Sequence, residues 1–472
     1  VITGAASDIR RGFAPPAAYA GVAAILLLYC ASVAIEESEL FFLVLLGAVV
    51  LAVGLVRFEA AFLFVPIALT NPVALRATGT NLILSEYILL IIFFLFVVRM
   101  QPGDRSYTFP RPLVAPTAWI LAASLVSLAA ARFVVPATLQ FVRFVEVMVL
   151  LLFVITSSLR SAKAILRVVL FLMLGGTVAA VTGLSQFLAG ISVTGESQRV
   201  YGLLGGGFGA VAAMTLLLSA GALFFGKDRL TRVTALVAAP LAVAALVASQ
   251  TRAWIGAFGI ALVILFLTSG RSSRKVLVAV ITGVAVMALI FFLTDGFGLL
   301  KKEIIDATIQ NAFRFGPREG VRGVQDLSIL MRFNLWLHAA REFAAHPVTG
   351  IGLGNLRFDD MLTAHIGPPS PKAGYVDNQY VQMFVETGVV GGLAWILYVV
   401  RGVRLGFRSL RAARGTPLAG AAWGLFGCAL VMIVGSFFWV VTPSHELFAI
   451  LILILGLLST ILRYAGDQTV IA

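Results

Sequence analysis

Charge is scarce in this chain. Only 12% of its 472 residues are Asp, Glu, Lys or Arg, where soluble domains carry about a quarter, and a water-soluble globular fold is excluded. Cysteine is nearly absent. The two present, Cys30 and Cys428, lie inside apolar runs and read as small core residues, with no disulfide framework and no metal set. His338, His346 and His365 have no metal-ligand spacing, and Asp359-Asp360 is a lone acidic pair. No metal or other cofactor is expected. Gly205-Gly206-Gly207 is followed by no Lys-Ser/Thr and so is not a phosphate loop. Small residues of this kind commonly pack membrane helices. No cleavable signal peptide is visible, and there is no internal repeat or low-complexity tract.

What is present is hydrophobicity, at 60% of residues. It comes in runs of about 17–25 residues, long enough to cross a hydrocarbon core of roughly 30 Å as helices. Inside lipid every backbone polar group needs an internal partner, so such runs must be helical. Fourteen are read, at about 16–34, 39–56, 59–73, 81–98, 113–131, 142–158, 165–189, 202–225, 233–249, 253–269, 276–294, 379–400, 417–440 and 446–463. The third holds Pro66 and Pro72 and reads as broken or re-entrant. The expectation is an all-α polytopic bundle of about 12–14 transmembrane helices.

The formal charge of +13 suggests nucleic acid at first sight, but topology accounts for it. One set of connections collects Arg10, Arg57, Arg99, Arg160, Arg167, Arg232, Arg274, Arg404 and Arg463, with several other Lys and Arg. The short loops opposite hold only Arg76, Arg132, Arg143, Arg199 and Arg252, and one of them is the acidic Glu36-Glu37-Ser38-Glu39. The positive-inside rule then puts both termini in the cytoplasm and leaves no nucleic-acid partner to explain the charge. Three parts follow: helices over 1–294, an extracytoplasmic loop over 295–378, and further helices over 379–472. The loop is too long to be an idle connection. It contains a predicted helix from Ser328, a plausible N-cap, to Ala345, with Met331, Leu335, Trp336, Ala339 and Phe343 on one face. Gly350-Ile351-Gly352-Leu353-Gly354 follows, where tight backbone turns are required.

Charged residues on the outer side that orientation does not need are the candidates for chemistry. Arg252 lies in Ser249-Gln250-Thr251-Arg252-Ala253-Trp254, between two apolar runs. Facing lipid at mid-depth it would cost roughly 2.5–3.5 kcal/mol, so it should face a polar cavity. The plainer alternative is an interfacial Arg snorkelling beside Trp254. Arg332 sits in the first turn of the loop helix, where positive charge is unfavourable against the dipole unless an anion pairs with it. A solvated helix face is the alternative there. Arg199 is a third candidate. Two or three guanidiniums on one side of a membrane suit a diphosphate, which each fork grips bidentately. Asp377 and Asn378 stand where the loop re-enters the membrane, before Gln379-Tyr380. Asp377 is either an ordinary N-cap or a general base able to take a proton from an acceptor hydroxyl. Glu386, deeper on the same helix, is an intramembrane carboxylate and hence a functional or pairing site by default.

Taken in order, these elements resemble the O-antigen ligase and Wzy-type polymerase superfamily of bacterial envelope glycosyltransferases. The motif residues are Ser249 and Arg252, then Arg332 and Trp336, then His346-Pro347 with Gly350, Gly352 and Gly354. The series closes with Asp377-Asn378, Tyr380, Glu386, Gly388 and Gly391. The resemblance spans roughly residues 195–400, and the N-terminal third matches only in being a helix bundle. One residue departs from the ligase pattern: Asp377 stands where ligases carry His, and Asp-Asn is more similar to polymerase-type members.

The resemblance implies a multi-pass protein of the bacterial cytoplasmic membrane with its active site outside. It implies transfer of a glycan from an undecaprenyl-diphosphate carrier to an acceptor hydroxyl, metal-independent and inverting. Arg252 and Arg332 would bind the leaving diphosphate and Asp377 would act as base. Arg199, Trp336, Asn378, Tyr380 and Glu386 would contact substrate. The partners implied are the lipid-linked donor, a glycan or lipid acceptor, the bilayer, and a chain-length regulator as a further candidate. A polymerase is favoured on Asp377, with a ligase acting on lipid A core or protein as the alternative. Outside the family, helix number and the broken third helix fit a secondary transporter, although no paired halves are detectable and the Arg-bearing loop argues against it. A scaffold in an envelope assembly is the remaining reading.

Overall fold

The computed structural model describes residues 39–71, 84–100, 107–188, 204, 207–226, 228–249, 251–268, 278, 281–282, 327–356, 376–442 and 444–471. The expected runs at 16–34 and, for the most part, 276–294 lie outside these residues, as do the other parts of the loop. The described residues form helices and connections, with no strand among them. In chain order the helices are α1 (Glu39–Val56), α2 (Phe58–Phe62), α3 (Phe64–Thr70), α4 (Leu84–Arg99) and α5 (Arg111–Ala129). Next come α6 (Val134–Val145), α7 (Leu152–Ser158), α8 (Ala162–Leu188), α9 (Phe208–Phe225) and α10 (Arg229–Ala248). The series ends with α11 (Arg252–Thr268), α12 (Leu327–Ala345), α13 (Gln379–Ala412), α14 (Ala419–Gly435) and α15 (His445–Ile471).

Seven of the described helical segments are long and apolar enough to cross a membrane, and four shorter apolar segments accompany them. The all-α polytopic bundle expected from the runs is what the chain forms. Its perimeter exposes large apolar side chains such as Phe94, Trp119, Leu236 and Val263, a surface suited to lipid tails. α9 is buried along nearly its whole length. It packs on α14 so closely that a Cβ on Gly221 would strike the Gly420 carbonyl, the small-residue contact by which membrane helices bring backbones together. The Ser409 hydroxyl of α13 donates to Leu458 O of α15 at 2.7 Å.

The bundle departs from regular helix at three places. The proline-bearing third run is split into α2 and α3, and Asn71 after α3 donates to Gly175 O of α8 at 2.9 Å. Between α6 and α7 the helix widens into a π-turn over Glu146–Leu151, a feature common at functional sites. α13, read in the sequence as one run over 379–400, extends to Ala412 and is interrupted at Gly388, whose φ is 69° and ψ −174°.

Candidate active site at the start of α13

Asp377 stands just before α13 with φ 49°, in the left-handed region that Asp and Asn tolerate better than most residues. The capping role falls to its neighbour. The Asn378 side chain accepts from Tyr380 N at 3.0 Å and from Val381 N at 3.1 Å, satisfying two of the donors a helix start leaves unpaired. Asp377 is thereby outside the helix and partly exposed.

Gln379 anchors this corner to the bundle. It is fully buried, and its Oε1 accepts from Val441 N at 2.8 Å and Thr442 N at 2.9 Å. Its own N–H donates to Ser436 O at 2.9 Å. Gln140 of α6 holds the same turn from the other side by donating to Thr442 O at 2.9 Å. The Tyr380 hydroxyl donates to Ile433 O at 3.1 Å, and its ring stacks on Phe437 with centroids 4.2 Å apart.

The glycine-rich stretch lies against the break in α13. Gly388 interrupts the helical ladder, and the chain of the loop takes up the neighbouring groups. Ile351 N donates to Val385 O at 3.0 Å, Gly352 N to Glu386 O at 3.2 Å, and Val389 N to Pro347 O at 2.8 Å. Gly350, at φ 67°, touches the backbone of Glu386 and Thr387 where any Cβ would collide. The two glycine motifs, some forty residues apart in sequence, are two halves of one backbone-on-backbone contact. Glu386 is buried, and its Oε1 accepts from Gln382 Nε2 at 3.0 Å and Leu356 N at 3.4 Å. Asn355 closes the other edge, accepting from Phe133 N at 2.6 Å at the turn before α6.

α12 covers this corner. Its predicted start at Ser328 agrees with the observed Leu327–Ala345 to within a residue. Ala339, Leu356, Val376 and Val385 form a small apolar cluster with Leu335, Trp336, Phe343, Ile351 and Val381 around it. Trp336 Nε1 donates to Val376 O at 2.8 Å, immediately before Asp377. Phe343 meets Phe384 edge-on, with centroids 5.8 Å apart.

Arg252 is the first residue of α11 and Arg332 lies in α12, but their side chains are not among those described. Arg199 lies outside the described residues, as do His365, Asp359 and Asp360. Backbone position still relates the segments. The Trp254 indole is fully buried and lies where a Cβ on Gly435, the last residue of α14, would go. The next residue, Ser436, accepts from Gln379. The starts of α11 and α13 therefore meet the same end of α14.

Sequence reasoning did not single out Gln140, Gln379, Thr442, Glu146 or His445. His445 begins α15 with its side chain 1% exposed, and its Nε2 lies 3.5 Å from Glu146 Oε2 on the π-turn. Nearby on the same stretch of helix, Arg143 pairs with Glu86 at 2.8 Å. A carboxylate within the apolar run at 142–158 was the available signal for Glu146. Among the described residues no group of three or more His, Cys, Asp or Glu is placed to hold a metal ion.

An all-α, multi-pass membrane protein with a glycine-interlocked corner at one end of its bundle is the class these features define. Residues 236–396 match the family model for O-antigen ligase, a stretch that contains Arg252, Arg332, Asp377 and Glu386. Over that stretch, about a third of its length, the chain is similar to the O-antigen ligase family. No curated protein matches it.

Proposed function

We propose that the protein is a glycosyltransferase of the bacterial cytoplasmic membrane. It moves a glycan from an undecaprenyl-diphosphate carrier to an acceptor hydroxyl on the outer side, acting as a Wzy-type polymerase. The observation that carries this reading is the meeting of three motif-bearing segments at one end of the bundle. The first turn of α11 and the start of α13 both dock at the end of α14, and Trp336 ties α12 to Val376.

In the proposed reaction Asp377 takes the proton of the acceptor hydroxyl. The acceptor oxygen bonds to the anomeric carbon as the bond from that carbon to the diphosphate oxygen breaks, from opposite faces and with inversion. Arg252 and Arg332 hold the leaving diphosphate and balance its growing charge, so no metal ion is needed in this scheme. Glu386, bound to Gln382 and Leu356 N, holds the loop rather than the sugar. A ligase delivering the glycan to lipid A core or protein differs only in acceptor, and Asp377 in place of His favours the polymerase.

The test is reconstitution in liposomes with an undecaprenyl-diphosphate oligosaccharide, with and without a lipid A core acceptor. Longer lipid-linked products should form from donor alone, and Arg252→Ala or Arg332→Ala should abolish them. Full activity in both variants would remove the assignment. Products made only with lipid A core would make the protein a ligase, and saturable solute uptake without transfer would make it a transporter.

A further inference from the structure

The corner before α13 is held firmly from the bundle side. Gln379 is bound to Val441 and Thr442, Asn378 caps the helix, and Tyr380 reaches Ile433. The C-terminal end of α12 is pinned as well, because Pro347 O, two residues beyond it, accepts from Val389 N of α13 at 2.8 Å. In the turns before that end the helix rests on weaker constraints. Most of its contact with α13 is apolar, through Ala339, Phe343 and neighbours. Dispersion and burial are non-directional, so such a contact tolerates the unpinned turns of the helix tilting about its fixed end. A hydrogen bond is directional. The Trp336 indole N–H on Val376 O supplies a fixed angle and depth between α12 and the residue that precedes Asp377.

Its place in the helix matters. Arg332 and Trp336 are four residues apart, and such residues share a helix face. Arg332 lies well over three turns before the pinned end at Ala345, about 20 Å away at roughly 1.5 Å per residue, so a tilt of about 10° there would displace its backbone by about 3 Å. We propose that Trp336 is a positioning residue rather than a substrate contact: its hydrogen bond to Val376 sets the tilt of α12 about its pinned end, and so the placement of Arg332 relative to Asp377. The catalytic half of this inference rests on the glycosyltransferase reading, whereas the mechanical half does not.

The experiment uses the full chain in nanodiscs and two arms. In a Cys30→Ser background, where the fully buried Cys428 escapes labelling, spin labels go on Leu337→Cys and Val390→Cys, both exposed positions on α12 and α13. Trp336→Phe keeps an aromatic ring but loses the donor, and it should broaden the distance distribution between the labels. Trp336→His keeps a ring N–H and should restore part of the narrow distribution. In the second arm, transfer from an undecaprenyl-diphosphate oligosaccharide is measured without labels. Trp336→Phe should lower kcat by about 10–100-fold, as small misplacements of reacting groups do, with donor KM nearly unchanged and Trp336→His in between.

An unchanged distribution with full kcat overturns the proposal. So does a lowered kcat with an unchanged distribution, because Trp336 would then act on substrate directly. A broadened distribution with unaltered kcat refutes the positioning role in the reaction. Broadening in a protein whose parent transfers no glycan upholds the clamp and overturns the glycosyltransferase reading instead.

Discussion

Alanine at position 388 tests the interlock on which the corner depends. Gly388 has φ 69° and ψ −174°, a backbone region left almost wholly to glycine, where another residue costs of order 1–3 kcal/mol. The added Cβ would strike the Val348 carbonyl and crowd Pro347 O at 3.0 Å. These are main-chain atoms that cannot rotate aside. Alanine also favours continued helix by about 1 kcal/mol over glycine, so the variant should close the break and release the loop. Release removes three backbone hydrogen bonds, made by Ile351, Gly352 and Val389 N–H, each worth about 1 kcal/mol net. Whether the chain bears the strain or sheds the loop, the contact weakens by about 3 kcal/mol, which at 1.4 kcal/mol per decade is about a hundredfold more opening.

Hydrogen exchange of the protein in nanodiscs reads this at peptides covering residues 350–352 and 389. Two controls isolate the cause. Gly415 has φ 77°, and a Cβ added there would meet no atom within 4 Å. Gly415→Ala therefore carries only conformational strain, about 1–2 kcal/mol, and should leave those peptides protected. Gly256 lies in a helix, and a Cβ there likewise meets nothing within 4 Å, so Gly256→Ala should be neutral or mildly stabilising. Wild-type protection in Gly388→Ala, or equal loosening in Gly415→Ala, would refute the reasoning.

Asp377→Asn keeps a residue tolerant of the left-handed backbone while removing the base. Transfer in the reconstituted assay should be lost with the unfolding temperature unchanged, and retained transfer would exclude Asp377 as the base. Asn378→Ala removes the two cap bonds and should cost about 1 kcal/mol in thermal unfolding, against no loss for a cap that contributes nothing. The pair formed by buried His445 and largely buried Glu146 should behave as a unit. Glu146→Leu or His445→Leu alone leaves a polar partner in the interior and should cost about 1–3 kcal/mol, while the double variant should cost well below the sum. Strict additivity in thermal unfolding would show that the two side chains do not interact.

Much of the helix order was legible because membrane runs are a local property: length and apolarity suffice. The runs at 39–56, 233–249 and 253–269 correspond to α1, α10 and α11 within a few residues. The break in α13 was not legible as a break. Glu386-Thr387-Gly388 sits inside an apolar run, and a lone glycine there is also tolerated in unbroken helix. Its meaning depends on Pro347 and Val348 lying against it, a contact between segments forty residues apart.

The corner around Asp377 divides in the same way. Composition and run length alone determined that the chain is a helical membrane protein, since the lack of water in a bilayer leaves few structures to choose from. The residue types near 377 marked a helix start, but which of Asp377 and Asn378 capped it depended on backbone angles that only the folded chain sets. Gln379 and Thr442, Trp336 and Val376, and Glu146 and His445 are distant in sequence, and no periodicity pairs them. Packing brought them together, because a buried polar group is stable only beside a partner, and the tertiary fold alone determines where that partner is.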